Sequence, residues 1–315
     1  MSAALPLNIG LAVKASIVIS TKNRKEELRS ALRSSLSQSI ECEVLVIDDG
    51  STDGTSEMVR AEFPTVRVER AENSSGLIVQ RNRGARLAGG DIIFSIDDDA
   101  VFVSPHTVAQ TLQEFDEERV GAVAIPYREP KKSPRLLQQA PSGEDVFITD
   151  DFIGTAHALR REVFLNLGGY RESLVHQGEE MDFCIRMLAV GRVVRLGRAD
   201  AIHHLESPRR DFRRMDIYGR RNDLLFAWHY VPLPYLPVHL LATSVNGLRA
   251  GLKVGRSWNM LRGIMKGWVA CVSQRRHRQP VPASVYRTFR QLKLRGPVRL
   301  AEIEPSLPPL TIWHT

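Results

Sequence analysis

Two stretches of the sequence decide the fold: residues 43–53 read EVLVIDDGSTD, and residues 90–99 read GDIIFSIDDD. In each stretch, an apolar run rich in β-branched residues leads directly into carboxylates, as expected of a buried strand that ends in a loop. Ligands of parallel sheets bind beyond the carboxyl ends of the strands. We therefore expect Asp48-Asp49 and Asp97-Asp98-Asp99 to share one cleft.

Strands and helices alternate around these two stretches. Ala15–Ser20 predicts a strand, and Lys25–Gln38 and Ile78–Ala88 predict helices from the spacing of their apolar residues. Gly89-Gly90 follows the second helix as a predicted C-cap. This alternation is typical of an α/β protein with a mainly parallel sheet flanked by helices.

The three adjacent carboxylates of Asp97, Asp98 and Asp99 suggest a cation site. Like charges so close together raise one another's pKa, and a bound divalent cation removes that cost. Mg²⁺ and Mn²⁺ bind one or two carboxylates together with substrate phosphate oxygens. The alternative interpretation is a solvated acidic turn, which the position at the end of a buried strand disfavours.

Four shorter motifs have both a functional and a structural interpretation. The first, at residues 48–51 (DDGS), offers acceptors to a nucleobase or ribose but is also turn-forming. The basic residues of Arg81–Gly84 would steady a phosphate or form a solvated helix face. His203-His204 would complete a metal site or be structural. Glu179, Glu180 and Asp182 begin a predicted helix, where acids also favour the helix dipole.

The charge distribution is asymmetric along the chain. The net charge of the 315 residues is +7, but residues 201–315 carry 19 Lys+Arg and 6 Asp+Glu. This basic third predicts an anionic partner, either a membrane surface or nucleic acid. Nucleic acid is disfavoured because aromatic residues do not interleave with the basic ones there.

Part of this basic region has the pattern of an amphipathic helix. The predicted apolar stripe comprises Leu236, Leu240, Leu241, Val245 and Leu248, and its cations include Arg249, Lys253, Arg256, Arg262 and Lys266. Segments of this type lie in the interface of anionic membranes. The alternative is a helical pair packed on the catalytic domain.

The chain's location is predicted from what it contains. Its three cysteines show no metal-ligand spacing, which suits a reducing compartment. We read no signal peptide in Met1–Val13 and no unbroken run of 18 apolar residues. We predict a cytoplasmic protein, with peripheral association with the inner face of the membrane.

Five motifs in order resemble the family 2 glycosyltransferases of GT-A fold. They are Ala15–Arg24 with Glu43–Asp53, Arg81–Gly84, Gly90–Asp99, Phe152–Tyr170 with its Gly168-Gly169-Tyr170 turn, and Gln177–Arg186 (QGEEMDFCIR). The resemblance covers about residues 14–230. It implies a Rossmann-like GT-A domain at 1–228, with a nucleotide-binding half at about 14–125 and an acceptor half at about 126–228. Residues 229–315 are predicted to form a basic helical extension.

The resemblance also implies roles for individual residues. The nucleotide-sugar site would comprise Ser20, Asn23, Arg24, Asp49, Arg81, Asp97 and Asp98. The cation, Mg²⁺ or Mn²⁺, would be bound by Asp99, Asp97 and His203. Glu180 would be the catalytic base, with Gly154 and Glu179 on the acceptor side.

Two departures from the family pattern bear on the reaction. The family usually has Asp at the base position, where this chain has Glu180. The Gln-x-x-Arg-Trp motif of processive polysaccharide synthases is absent, and Tyr218–Asn222 (YGRRN) stands in that region. We therefore predict transfer of a single sugar per encounter.

The predicted activity is transfer of one sugar, with inversion, from a nucleoside-diphosphate sugar to an acceptor hydroxyl. The donor nucleotide is predicted to be UDP or dTDP. The acceptor would be a glycan, a lipid-linked glycan or a small molecule, in surface or secondary glycan synthesis of bacterial type. One alternative is a nucleotidyltransferase that forms nucleotide sugars, although Ser20–Asn23 is not a Gly-rich phosphate loop. Another is a sugar-nucleotide-binding pseudoenzyme, and an oxidoreductase is disfavoured because no G-x-G-x-x-G follows a strand.

Overall fold

The computed structural model describes residues 13–205 and 211–313. The prediction that Met1–Val13 is not a signal peptide therefore concerns residues that lie, except for Val13, outside the described ones. The strands are β1 (Ala15–Thr21), β2 (Glu43–Asp48), β3 (Arg67–Arg70), β4 (Ile92–Asp97), β5 (Ala100–Phe102), β6 (Val120–Ala124), β7 (Tyr127–Arg128), β8 (Phe147–Thr149), β9 (His157–Arg160), β10 (Val193–Leu196), β11 (Ile202–His204) and β12 (Val298–Arg299).

Helices flank these strands, and those predicted at Lys25–Gln38 and Ile78–Ala88 form close to their predicted bounds. The helices are α1 (Lys25–Leu36), α2 (Thr55–Glu62), α3 (Leu77–Leu87), α4 (Thr107–Gln113), α5 (Arg161–Asn166), α6 (Glu179–Ala189), α7 (Phe212–Tyr230), α8 (Leu236–Lys253), α9 (Ser257–Ser273), α10 (Ala283–Arg295) and α11 (Leu300–Ile303). No helix within 13–205 or 211–313 combines the length and apolar character that crossing a membrane requires.

The central sheet has nine strands in the order β12-β8-β10-β6-β9-β4-β1-β2-β3. Strands β4, β1, β2 and β3 are parallel neighbours, and β10 is parallel to β6. The sheet is mixed, because β9 lies antiparallel between β4 and β6 and β8 is antiparallel to β10. The predicted α/β fold with a large sheet flanked by helices is confirmed.

The apolar alternation of the strands builds a core on each face of the sheet. Ile17 and Ile19 of β1 belong to one buried cluster, and Val18 between them belongs to the other. Successive side chains of a strand point to opposite faces, so the continuous apolar run Ile17–Ile19 supplies both clusters. Gly90 begins the loop into β4, and a Cβ there would lie 2.7 Å from the backbone nitrogen of Ser16.

A second, three-stranded sheet in the order β5-β11-β7 lies beside the acidic loop. Strand β5 follows Asp97–Asp99 directly, and its Ala100 pairs with His204 of β11. This pairing brings a histidine more than 100 residues away next to the carboxylates at the end of β4.

The C-terminal region packs against the preceding α/β region through several elements. Helix α7 crosses the predicted boundary at residue 228 and packs against α8 and α9. Helix α10 packs against α6, and β12 extends the central sheet through β8. The segment predicted as an extension therefore supplies an edge strand of the central sheet.

Candidate active site

A cavity of about 720 Å³ lies at the carboxyl ends of β1, β2 and β4. Among the residues that line it are Ser20, Thr21, Arg24, Asp49, Ser74, Gln80, Asp97, Asp98, Asp99, His176, Gln177, His204 and Arg214. Its volume is within the usual range for sites that enclose small molecules and cofactors. Asp49 and Asp97-Asp98-Asp99 share this cavity as predicted, whereas Asp48 is buried and does not line it.

Two carboxylates and one imidazole converge at the floor of this cavity. Ligand atoms of Asp97, Asp99 and His204 all lie within 4.8 Å of one another. The Nε2 atom of His204 is 3.0 Å from Asp99 Oδ1, and its Nδ1 atom is 3.0 Å from the hydroxyl oxygen of Tyr127. Burial lowers the pKa of His204, but the hydrogen bond to Asp99 and the nearby carboxylates outweigh burial, so its pKa is raised.

The structure places His204, and not the predicted His203, in the acidic cluster. Adjacent residues of a strand point to opposite sides, so only one of the two imidazoles of β11 faces Asp97 and Asp99. The pKa of His203 is lowered by partial burial and by Arg128, which is the opposite direction to His204.

Asp98 points away from the other two acids, towards β1 and Arg24. Its Oδ2 atom accepts a hydrogen bond of 2.7 Å from the Thr21 hydroxyl, and its Oδ1 atom accepts one of 2.9 Å from Arg24 Nη1. Burial raises the pKa of Asp98 to about 7, although Arg24 and Thr21 oppose the shift. Arg24 Nη1 also lies 3.1 Å from Asp99, so this arginine spans both acids.

Asp49 lines the cavity, but its carboxylate is already fully bonded. It accepts hydrogen bonds from the Ser74 hydroxyl, the backbone nitrogens of Ser75 and Gly76, and the Gln80 amide. Burial raises its pKa, but these four donors outweigh burial, so the pKa is lowered. Asp49 therefore anchors the 74–76 loop that forms one wall.

The structure separates Ser20 from Asn23, which were predicted to act together. Ser20 lines the cavity, and its hydroxyl is buried without a hydrogen-bond partner among the described residues. Asn23 does not line the cavity, because its Oδ1 atom accepts a hydrogen bond of 2.7 Å from the backbone nitrogen of Thr52. Its positive φ of 53° suits a turn residue.

Arg81 lies behind the cavity and joins its acids to two glutamates. Its Nη2 atom is 2.8 Å from Asp97 Oδ1, and its Nη1 atom is 3.2 Å from Glu179 Oε1 and 3.3 Å from Glu180 Oε1. Arg81 was predicted near the nucleoside, but it is buried and does not line the cavity. A Cβ on Gly154 would overlap Glu180 Oε1 and lie 2.8 Å from Arg81 Nη1.

Burial dominates the electrostatics of the two glutamates. It raises the pKa of both carboxyls, and Arg81 opposes the shift at each. The side chain of Glu180 is 19% exposed, whereas that of Glu179 is 4% exposed and its Oε2 atom has no hydrogen-bond partner among the described residues. Of the pair, Glu180 is the more exposed, and neither glutamate lines the cavity described above.

Residues 175–177 form a wall of the cavity that the sequence did not predict. Val175 and Gln177 have positive φ angles of 66° and 65°, which is strained for residues other than glycine. Asn222 holds this loop by donating hydrogen bonds to the carbonyl oxygens of Leu174, His176 and Gln177. A motif-based search has no signal for such a loop.

The chain is similar to known glycosyltransferases. Residues 16–168 match the family model of glycosyl transferase family 2. The chain is 28% identical over 290 residues to the uncharacterized glycosyltransferase YfnE of Bacillus subtilis (strain 168), covering 72% of this chain and 73% of the relative. It is 28% identical over 212 residues to the succinoglycan biosynthesis protein ExoU of Rhizobium meliloti (strain 1021), covering 61% and 60%.

Solved structures share the fold at lower sequence identity. The mannosyltransferase PcManGT from Pyrobaculum calidifontis, in complex with GDP-Man and Mn²⁺, has a TM-score of 0.57 and 20% identity, covering 84% of this chain and 76% of that one. Residues 1–349 of S. aureus TarS give a TM-score of 0.56 and 16% identity, covering 88% and 91%. This likeness confirms the predicted GT-A fold.

Proposed function

We propose that this chain is a member of glycosyltransferase family 2 and that it transfers one sugar, with inversion, from a nucleoside-diphosphate sugar to an acceptor hydroxyl. The observation that carries the proposal is the cavity at the strand ends, in which Asp97, Asp99 and His204 converge in front of the Arg81–Glu180 pair. Arg81 thus contacts Asp97 of the proposed donor site through one nitrogen and the candidate base Glu180 through the other.

The donor would occupy the cavity with its nucleoside near β1 and the 74–76 loop. Ser20 offers a hydroxyl that has no hydrogen-bond partner within 13–205 and 211–313, and Arg24 and Arg214 offer positive charge to a diphosphate. The donor nucleotide is proposed to be UDP or dTDP. Among the structural neighbours, TarS has been solved with UDP, whereas the Pyrobaculum enzyme was solved with GDP-Man.

The acidic cluster suits a divalent cation. Two carboxylate oxygens and one imidazole nitrogen form a donor set that Mn²⁺ and Mg²⁺ accept, and substrate phosphate oxygens would complete the coordination. We propose Asp97, Asp99 and His204 as the ligands, with Asp98 held by Thr21 and Arg24 as support. When bound, the cation would neutralise negative charge on the leaving diphosphate.

Glu180 is the proposed general base. Its partly exposed carboxylate would accept the proton of the acceptor hydroxyl as that oxygen attacks the anomeric carbon. Arg81 fixes its position and opposes the rise in pKa that burial causes, while Gly154 leaves the space that its carboxylate needs. Glu is one methylene longer than the family's usual Asp at this position.

We propose that the chain acts in glycan synthesis and adds one sugar per encounter. ExoU is described as a succinoglycan biosynthesis protein, and another relative of 25% identity is the O-antigen biosynthesis protein RfbC of Myxococcus xanthus. We propose that this chain acts in a surface or secondary glycan pathway of bacterial type, on a glycan, a lipid-linked glycan or a small molecule. The convergence of Asp97, Asp99 and His204 disfavours a pseudoenzyme.

The proposed location is the cytoplasm, with peripheral attachment to the inner face of the membrane. Nucleotide sugars are charged, so the donor site has to lie on the side of the membrane where the nucleotide sugars are present. The surface that would carry the attachment is part of the C-terminal helices.

The proposal is tested by thermal unfolding of the full chain with a panel of nucleotide sugars. A ligand that binds only the folded state raises the unfolding temperature by mass action. UDP-, dTDP- and GDP-sugars are each compared with Mn²⁺ and with EDTA. Stabilisation by one nucleotide sugar in Mn²⁺ supports the proposal, and stabilisation by none of them contradicts it.

A further inference from the structure

Helices α8 and α9 each pack against α7 through one side, where glycines allow the helices to approach closely. A Cβ on Gly263 would lie 2.6 Å from the carbonyl oxygen of Ile217, and one on Gly267 would lie 2.6 Å from Leu224 Cδ1. On α8, a Cβ on Gly247 would lie 3.1 Å from Arg220 Cδ. The sides of α8 and α9 that carry these glycines therefore face α7.

The opposite sides of both helices are apolar and exposed. On α8 the residues Val238, Leu241, Val245, Leu248 and Leu252 recur at intervals of three and four, and Val238 and Leu252 are 71% and 73% exposed. On α9 the exposed residues are Trp258, Met265, Trp268, Val269 and Val272. We call these ten residues the outer face.

The two halves of the outer face form one surface. Helices α8 and α9 pack against each other as well as on α7, so their free sides point the same way. The indole nitrogen of Trp268 lies 3.3 Å from the Ser244 hydroxyl of α8, which joins the two helices beside the apolar residues. A contiguous apolar surface of this kind marks an interaction site, unlike scattered single residues.

The sequence had predicted a different stripe. Leu236 and Leu240 were assigned to the exposed stripe together with Leu241, Val245 and Leu248. Both are instead buried, at 5% and 6% exposure. The exposed stripe of α8 instead contains Val238 and Leu252. The apolar side of α9 belongs to the same surface, and the pattern of a single helix cannot show that.

Positive charge borders the outer face on both sides. At 100° per residue, Arg249 and Lys253 lie along one edge of α8, and Arg262 and Lys266 lie along the far edge of α9. None of these four forms an ion pair with any described residue. Between Asp223 and Glu302 the sequence has 13 Lys+Arg and no Asp or Glu.

We propose that the outer face docks on an anionic lipid bilayer, with α8 and α9 lying in the plane of the interface. Basic helices with an apolar side bury that side at the headgroup boundary, and each Lys or Arg adds attraction to anionic lipid. Trp258 and Trp268 suit the interface because their rings are amphipathic. A second copy of the chain fits poorly, since the bordering cations would face each other. The inference stands independently of the proposed donor and metal.

The test is flotation of the full chain with two kinds of liposome. One kind is neutral phosphatidylcholine, and the other also contains about 30% phosphatidylglycerol, which gives a strongly negative surface. The wild type is expected to float with the anionic vesicles only. Arg262→Gln with Lys266→Gln removes two cations and should weaken binding about thirty-fold. Val269→Gln with Val272→Gln removes apolar area from the outer face and should abolish flotation.

The matched control is Leu294→Gln, because Leu294 is 72% exposed on α10 and lies outside the outer face. This variant should float like the wild type. Equal binding to neutral and anionic vesicles, or no binding to either, would overturn the proposal. So would sedimentation equilibrium that shows a dimer of the wild type dissociated by Val269→Gln with Val272→Gln.

Discussion

Arg81 Nη1 lies 3.3 Å from Glu180 Oε1, and the same nitrogen lies 3.2 Å from Glu179 Oε1. The other terminal nitrogen of Arg81 lies 2.8 Å from Asp97. The buried guanidinium of Arg81 therefore connects the candidate base Glu180 with Asp97 of the candidate metal site. The catalytic assignments can be tested residue by residue around this arginine.

The first prediction concerns the general base. Glu180→Gln removes the proton acceptor and should lower kcat about a hundred- to ten-thousand-fold, while donor binding changes little. Glu179→Gln should have a smaller effect on kcat, because Glu179 is almost inaccessible. Turnover of Glu180→Gln within a few-fold of the wild type would make the assignment wrong and Glu179 the next candidate.

Asp182 serves as a structural comparison within the same helix. Its carboxylate accepts hydrogen bonds from Arg171, Arg186 and the Tyr230 hydroxyl. Breaking a buried charge network of this kind costs about 3–5 kcal/mol. Asp182→Asn should therefore lower the unfolding temperature, whereas Glu180→Gln should not.

The second prediction separates the two adjacent histidines. His204→Ala removes a proposed ligand and should weaken Mn²⁺ binding at least about tenfold, measured by calorimetric titration of the full chain. His203→Ala is the matched control, because it removes an imidazole one residue away that faces the other side of β11. Equal effects of the two substitutions would refute the assignment of His204.

The third prediction follows from the raised pKa of Glu180. Burial raises this pKa and Arg81 opposes the shift. A base acts only when deprotonated, so kcat should fall as the pH falls through the raised pKa. Arg81→Met removes the opposing charge and should move this acidic limb of the kcat profile to higher pH. One pKa unit corresponds to about 1.4 kcal/mol.

Arg83→Met is the control for this pH profile. Arg83 belongs to the same helix but pairs with Glu69, at 3.6 Å, away from the glutamates. Its profile should coincide with that of the wild type. An acidic limb at the same pH in Arg81→Met as in the wild type would show that Arg81 does not hold Glu180 ionised.

The fourth prediction concerns the space beside the base. Gly154→Ala places a methyl group where Glu180 Oε1 lies, so the carboxylate has to move. A displacement of about 1 Å costs up to about a hundred-fold in rate, and we expect kcat to fall by about that factor with donor binding retained. Gly89→Ala is the control, because its Cβ would lie no closer than 3.6 Å to a neighbour. Equal kcat values for both variants would contradict the prediction.

The fifth prediction concerns Asp151, which lies close to Glu180. Burial, Glu180 and Asp150 raise the pKa of Asp151 to about 8 from an ordinary value of 3.8. An acid whose folded-state pKa is raised contributes stability below pH 4 that is lost as the pH rises through about 8. Asp151→Asn should melt like the wild type at pH 4 and a few degrees higher at pH 9. A difference that does not change with pH would contradict this account.

The sequence predicted those features that local patterns encode. The apolar runs of β2 and β4 lead directly into Asp49 and Asp97, so strand and acids are read from the same few residues. The parallel arrangement of β1, β2 and β4 then follows from the alternation with helices, and it brings the acids into one cavity.

Long-range partners were less accessible to sequence reasoning. The choice between His203 and His204 depends on which side of β11 faces the acids, and that is set by pairing with β5. Arg81 was predicted near the nucleoside, and its actual partners could not be seen from its motif because these glutamates lie about 98 residues further along the chain. The edge strand β12 comprises only two residues, too few for any strand pattern.

The most direct test of metal-dependent glycosyl transfer is the release of nucleoside diphosphate from the nucleotide sugar that stabilises the fold, with water or an acceptor present. The wild type should release it in Mn²⁺ and lose this activity in EDTA. Asp99→Asn should be inactive in both conditions, and Glu180→Gln should bind the donor but release about a hundred-fold less. Release by the wild type in excess EDTA at the same rate as in Mn²⁺, or release by Asp99→Asn at the rate of the wild type, would contradict the account.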